Sequence, residues 1–218
     1  MRRLFAFVSL LGILALVGCA TSTKQVDYTA FKASKPRSIL VLPPVNESPE
    51  VKATYGMLSQ VTFPLAESGY YVLPVALVDE TFRQNGLTTP NDIQAVPPQK
   101  LHEIFGADAA LYITVSQYGT KYQVVQSVTV VEASAKLIDL KMGDVLWTGS
   151  AHASSAEGNN NNGGGVIGIL VSAALNQIIN SVADKSFDIA GVAANRLLFA
   201  KKPDGMLYGP RSPKYQSD

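Results

Sequence analysis

A 218-residue chain with 18 basic and 17 acidic side chains carries a formal net charge of +1, and 47% of its residues are hydrophobic. That balance leaves no broad basic field for nucleic acid and no acidic tail. A single cysteine rules out a disulfide within the chain, so any fold must be held by packing alone.

The chain opens MRRLFAFVSLLGILALVGCATS. Arg2 and Arg3 form a positive n-region, and Leu4 to Val17 is uncharged, apolar and too short for an ordinary membrane span. This is the pattern of a secretory signal peptide. Leu16, Val17, Gly18 and Cys19 then resemble a bacterial lipobox. Gly18 is small enough for cleavage after it, and the Cys19 thiol, as thiolate, is the nucleophile that takes up a diacylglyceryl group. A lipoprotein cysteine of this kind carries three acyl chains, and each buried CH₂ contributes about 0.8 kcal/mol, so anchoring is effectively permanent. Ala20 follows the cysteine where Asp usually marks retention at the inner membrane. The expected location is the outer membrane, with the folded part in the periplasm.

Residues 19–36 are mixed in character and read as a lipid-anchored tether. Arg37 to Pro44, RSILVLPP, reads as a buried strand stopped by two prolines. A helix is expected next, capped by Asn46 or Ser48, bent or ended near Pro64 and closed by Gly69. YYVLPV reads as a second strand, ALVDETFRQNG as a helix and LTTPNDIQAVPP as a connector with a helical turn. QKLHEIFGA reads as a further helix closed by Gly106, and DAALYITVSQYG as a third strand. Strands separated by helices point to a parallel sheet. The pattern then changes. Val128, Val130, Glu132, Ser134 and Lys136 alternate with Thr129, Val131, Ala133, Ala135 and Leu137, and Lys141 to Asp144 forms a tight turn with Gly143. This predicts a long antiparallel hairpin returning through Leu146 and Trp147. Gly163 to Ala200 reads as one long or two broken helices, and residues 201–218 as an irregular tail.

The expected fold class is therefore α/β. It has a mixed sheet of about five strands, a parallel N-terminal part, a long antiparallel hairpin, helices packed on the sheet and a long C-terminal helix. Residues 1–18 are the signal peptide, and a single domain is expected over 37–200.

Gly163, Gly165 and Gly168 match G-x-G-x-x-G, but the context is wrong for a dinucleotide. A soft loop separates them from the preceding strand, and no strand follows the helix they open. No cofactor is expected. Metal binding lacks donors, because His102 and His152 lie far apart and Gly106 stands where H-E-x-x-H needs its second histidine. Ser154 and Ser155 near His152 have no evident orienting acid. Asp79–Glu80 and Asp184/Asp188 at helical spacing read as solvated faces. No enzyme is expected. From Gly158 to Ala183 no side chain is charged, and Ile167, Leu170, Val171, Ala174, Ile178 and Val182 form an apolar stripe. Two readings stand side by side: a core helix on its own sheet, or a helix covered by a second subunit, most simply in a dimer.

Several segments together carry a resemblance: ILVLPPVNES (39–48), LAESGYYVLPV (65–75), FGADAALYI (105–113), LIDLKMGDVLW (137–147) and LYGPRSP (207–213). They resemble a family of bacterial outer-membrane lipoproteins of unassigned function, typically found beside a lipoprotein like the curli secretion channel. The resemblance implies a domain similar to the N-terminal domain of the Tol-system propeller protein, and no catalytic residues. Only Cys19 transfers as a site residue. The expected function is accessory protein–protein contact in a curli-channel-like secretion or envelope-assembly system. The partners would be the membrane, a second copy of the chain and/or such a lipoprotein, with no nucleic acid. The alternative is a binding protein for a small ligand or cell-wall fragment, using the sheet edge or the Gly158–Gly165 loop.

Overall fold

The computed structural model describes residues 26–122, 127–159, 184–200 and 204–217. Within them the chain is a mixed α/β fold built on a six-stranded sheet in the order β3-β1-β4-β5-β6, with β2 also on β4. The strands are β1 (Ser38–Val41), β2 (Val45–Asn46), β3 (Tyr71–Val72), β4 (Ala109–Tyr122), β5 (Ser127–Asp139) and β6 (Val145–Ser154). β1 lies parallel to β3 and β4, and β2 is parallel to β4. β4, β5 and β6 run antiparallel in sequence order. The expected division into parallel and antiparallel halves is what the sheet shows. The extra strand arises at Pro43–Pro44. Neither proline has an N–H to donate, so the ladder stops after Leu42, whose N–H reaches Leu111 O at 3.1 Å. It resumes at Val45, opposite Thr114.

Alternation decides which face of β5 is buried. Thr129, Val131, Ala133, Ala135 and Leu137 are buried, whereas Ser134 and Lys136 between them are exposed. Onto the buried side packs α7 (Lys185–Leu198), which lies across β5 and β6 through Ile189, Ala190, Ala193, Ala194 and Leu197. Its alanines oppose Ala133 and Ala135, and small side chains on both sides bring helix and sheet close. The same layer holds α1 (Thr29–Ser34), α2 (Ala53–Leu58) and α3 (Thr62–Glu67). Among the described residues the opposite face is covered over β1, β4 and the end of β5. There α4 (Val75–Gln84), α5 (Pro90–Gln94) and α6 (Pro98–Phe105) bury Val78, Phe82, Ile93 and Leu101 against Leu40, Leu42, Ala110 and Tyr112. Burying each such aliphatic side chain stabilises by about 1.5–3 kcal/mol.

Three expectations are corrected. The helix foreseen from Asn46 or Ser48 starts at Ala53, because Asn46 Oδ1 instead accepts from Ser48 N (2.9 Å) and Ser48 Oγ (2.7 Å), closing a turn. Pro64 does not end a helix. It sits third in α3, in the first turn, where no backbone donor is required, and the break falls over Ser59–Val61. Part of the supposed tether is folded: α1 carries Phe31 at 3% exposure into the main core. Residues 204–217 form turns, and Met206 and Leu207 are buried beside Tyr70, so they belong to the packed body.

Candidate functional site

Cys19 and the lipobox residues Leu16, Val17 and Gly18 lie outside the described residues, as do Gly163, Gly165, Gly168 and the apolar stripe from Ile167 to Val182. What leads up to the glycines is described. β6 ends at Ser154 and a 3₁₀ turn, Ser155–Asn159, follows, so the strand does not run straight into a phosphate-type loop. Asp184, at the ribose-binding distance of that motif, is the N-cap of α7 and accepts from Ser186 N at 3.2 Å.

The other candidate residues are apart and already engaged. His102 Nδ1 contacts Ala107 O at 2.7 Å. His152 Nδ1 lies 3.5 Å from Glu157, and Arg196 bridges Glu157 and the His152 carbonyl, both at 2.6 Å. Ser154 Oγ accepts from Ala156 N and Ser155 Oγ from Thr129 N, so both hydroxyls hold backbone. Asp79 pairs with Arg83 at 3.0 Å and Glu80 with Gln84 at 3.0 Å, one helical turn on in each case. Among the described residues no group of three or more His, Cys, Asp or Glu could hold a metal. Tyr118 is pushed up to about 12, first by burial and then by Asp184, Glu50 and Asp188, so it remains a neutral phenol.

Two concave surfaces among the described residues bear on function. One is a trough of about 510 Å³ along edge strand β3, between Tyr71, Leu73 and Pro74 and the α4 residues Leu77, Val78 and Thr81, without a charged side chain. Leu77 is 66% exposed and Tyr71 45%, so the trough is flanked by open apolar surface.

The other is a cavity of about 260 Å³ between α1 and the C-terminal segment, lined by Phe31, Lys32, Lys35, Tyr70, Tyr208 and Tyr215 among others. Backbone carbonyls of the C-terminal segment hold its walls. Tyr28 Oη donates to Gly205 O and Tyr70 Oη to Leu207 O, each at 2.6 Å, and Trp147 Nε1 donates to Asp204 O at 3.0 Å. Gly209 N donates to Ser68 O (2.8 Å) and Arg211 N to Gly69 O (3.0 Å). Lys214 Nζ stands 5.5 Å from the Tyr208 ring, and the Arg211 guanidinium 5.2 Å from the Tyr71 ring. Two of the quoted segments, 65–75 and 207–213, thus meet here. Neither the charge count nor the periodicity signalled this cavity, since its walls come from opposite ends of the chain.

α1 is tied to the β5–β6 turn through Asp139. Its carboxylate accepts from Ser34 Oγ and from the amides of Lys141 and Met142, both at 2.8 Å. Burial pushes this carboxyl up, but the Ser34 hydroxyl, the two amides and the Lys141 charge outweigh it and hold it below its ordinary 3.8. A depressed folded value means the tie contributes fully above the unfolded 3.8 and is lost as pH falls below that through the folded value. The protection of the α1 amides, their slowing relative to an unfolded chain at the same pH, is therefore expected to fall as the pH drops below 3.8. Asp139→Asn should cost about 1.5–3 kcal/mol at neutral pH and remove most of this acid sensitivity. Equal acid sensitivity in Asp139→Asn would refute the assignment.

The family model described as "Putative lipoprotein GNA1162-like" matches residues 26–211. "Putative lipoprotein NMB1124/NMB1162" of Neisseria meningitidis serogroup B (strain ATCC BAA-335 / MC58) is 53% identical over 205 residues, spanning 94% of each chain. The crystal structure of lipoprotein GNA1162 from Neisseria meningitidis is similar at a TM-score of 0.55 and 58% identity, covering 67% of this chain and 100% of that one. With most of its length inside the family model and more than half its residues shared with that relative, the chain belongs to the GNA1162-like lipoprotein family.

Proposed function

We propose that the protein is held in the outer membrane by acyl chains on Cys19, faces the periplasm, and works by binding another protein rather than by catalysis. The lipoprotein family supports the anchor, together with the lipobox read at Leu16–Cys19. The uncharged trough along β3 carries the contact reading. Its exposed Leu77 and Tyr71 border an edge strand, and an exposed apolar groove of this kind is the usual mark of a protein partner. A curli-channel-like lipoprotein in a secretion or envelope-assembly system is the partner proposed. The experiment is recovery of the full-length lipidated protein from mild detergent, wild type against Leu77→Lys. A stoichiometric lipoprotein partner, lost in Leu77→Lys while circular dichroism stays native, is the expected result. A partner retained by the variant would remove the trough from this reading, and the absence of any stoichiometric partner would overturn it.

A further inference from the structure

The cavity between α1 and the C-terminal segment sits at one pole of an uneven charge distribution. Residues 26–37 and 204–217 hold five basic side chains, Lys32, Lys35, Arg37, Arg211 and Lys214, against two acidic ones, Asp27 and Asp204. The rest of the chain after residue 18 holds 11 basic and 15 acidic side chains, so the two segments make a positive pole, with Asp139 and Asp108 the acidic side chains bonded to it at Ser34 and Arg37. All five basic side chains are exposed. Asp27, whose carboxylate accepts from Thr29 N (2.9 Å) and Thr29 Oγ1 (2.6 Å), offsets one of them.

We propose that this cavity seats the anionic headgroup of a phospholipid in the leaflet that holds the protein's own acyl anchor. The inference rests on the lipid anchoring argued above and adds a second contact beside it. Chain length supplies the first reason. Six residues separate Cys19 from Val26, a span of at most about 25 Å, so α1 is held close to the membrane surface. The lining supplies the second. Tyr208 and Tyr215 offer the apolar ring and polar hydroxyl suited to a headgroup layer. Lys32 of α1 and Lys35 at its C-cap line the cavity, and Lys214, outside the lining, stands over the Tyr208 ring. Size supplies the third. A cavity of about 260 Å³ falls just below the range of about 300–1,000 Å³ usual for larger organic ligands, and suits a phosphate with a small polyol. Basic side chains beside a lipid anchor are the usual second signal that orients a protein on an anionic surface.

The test uses the full-length lipidated protein in nanodiscs of phosphatidylcholine, alone or mixed with phosphatidylglycerol. Co-elution with the discs reads the anchor, and hydrogen exchange in residues 31–36 and 205–217 reads the docking. Exchange there is expected to slow about fivefold or more in the anionic discs only, and the slowing to vanish in about 1 M salt, where the screening length is about 3 Å. The combined Lys32→Gln, Lys35→Gln and Lys214→Gln variant should lose the effect while exchange in β4 and β5 is unchanged. Tyr215→Ser should weaken it at constant charge. A protein that co-elutes with both kinds of disc but exchanges alike in them overturns the docking alone. A protein that elutes apart from both overturns the anchor and the docking together. Equal slowing by soluble glycerol phosphate in phosphatidylcholine discs overturns docking in favour of a pocket for a free phosphate ligand.

Discussion

Replacing Gly69 with alanine is expected to lower the stability of the domain by roughly 3–5 kcal/mol, combining a strained backbone with an overpacked contact. Gly69 has φ +96°, a conformation that costs any residue with a Cβ. A Cβ built there would collide with Ser212 N and lie 2.7 Å from Gly209 O. Both are backbone atoms, which cannot step aside as the tip of a side chain can. The two chains are further bound by the Gly209 N–Ser68 O and Arg211 N–Gly69 O hydrogen bonds, so the segment cannot slide without breaking them. Ser68 extends the damage, because its Oγ accepts from Ala200 N at 2.8 Å just past α7. Met206 and Leu207 would lose their burial and the α1 cavity one wall. Gly86→Ala is the control. Its φ is also positive, at +80°, but nothing lies within 4 Å of its Cβ, so it should cost only about 1–2 kcal/mol. Urea unfolding of both variants, with proteolysis of residues 204–217, reads the difference. Equal losses would mean that the close approach of the two glycines contributes nothing.

The elements legible in the sequence are those whose pattern is local. β5 alternates because one face is buried and the other wet, and Gly106 and Gly143 stop a helix and make a turn by adopting positive φ. α1 was not legible. Six residues with one large apolar side chain, Phe31, have no periodicity to detect, and what buries that ring lies in distant parts of the fold. The break at Ser59–Val61 was hidden for the opposite reason: apolar residues keep helical spacing on both sides of it. β2 is two residues long, and only its place beside Thr114 and Val115 makes it a strand. The docking of the C-terminal segment runs largely through carbonyls of Ser68, Gly69, Gly205 and Leu207, which leave no side-chain signature. The positive pole was concealed by a total charge of +1, since its two halves lie some 170 residues apart. The lipobox, by contrast, is wholly local, and its four residues stand together in the chain.

Cys19→Ser is expected to abolish acylation outright. A serine hydroxyl is not ionised at neutral pH and does not replace the thiolate that takes up the diacylglyceryl group. Cys19 is the only cysteine, so no second thiol in the chain can substitute. At about 0.8 kcal/mol for each buried CH₂, losing the acyl chains of the proposed anchor would remove the permanent attachment they supply. No helix among the described residues is long and apolar enough to cross a membrane in their place. The most direct measurement is metabolic labelling with a clickable fatty acid, read on the wild type and on Cys19→Ser after electrophoresis. The wild type should carry the label and Cys19→Ser none. Label persisting on the serine variant, or absent from the wild type, would contradict a lipid anchor at this residue.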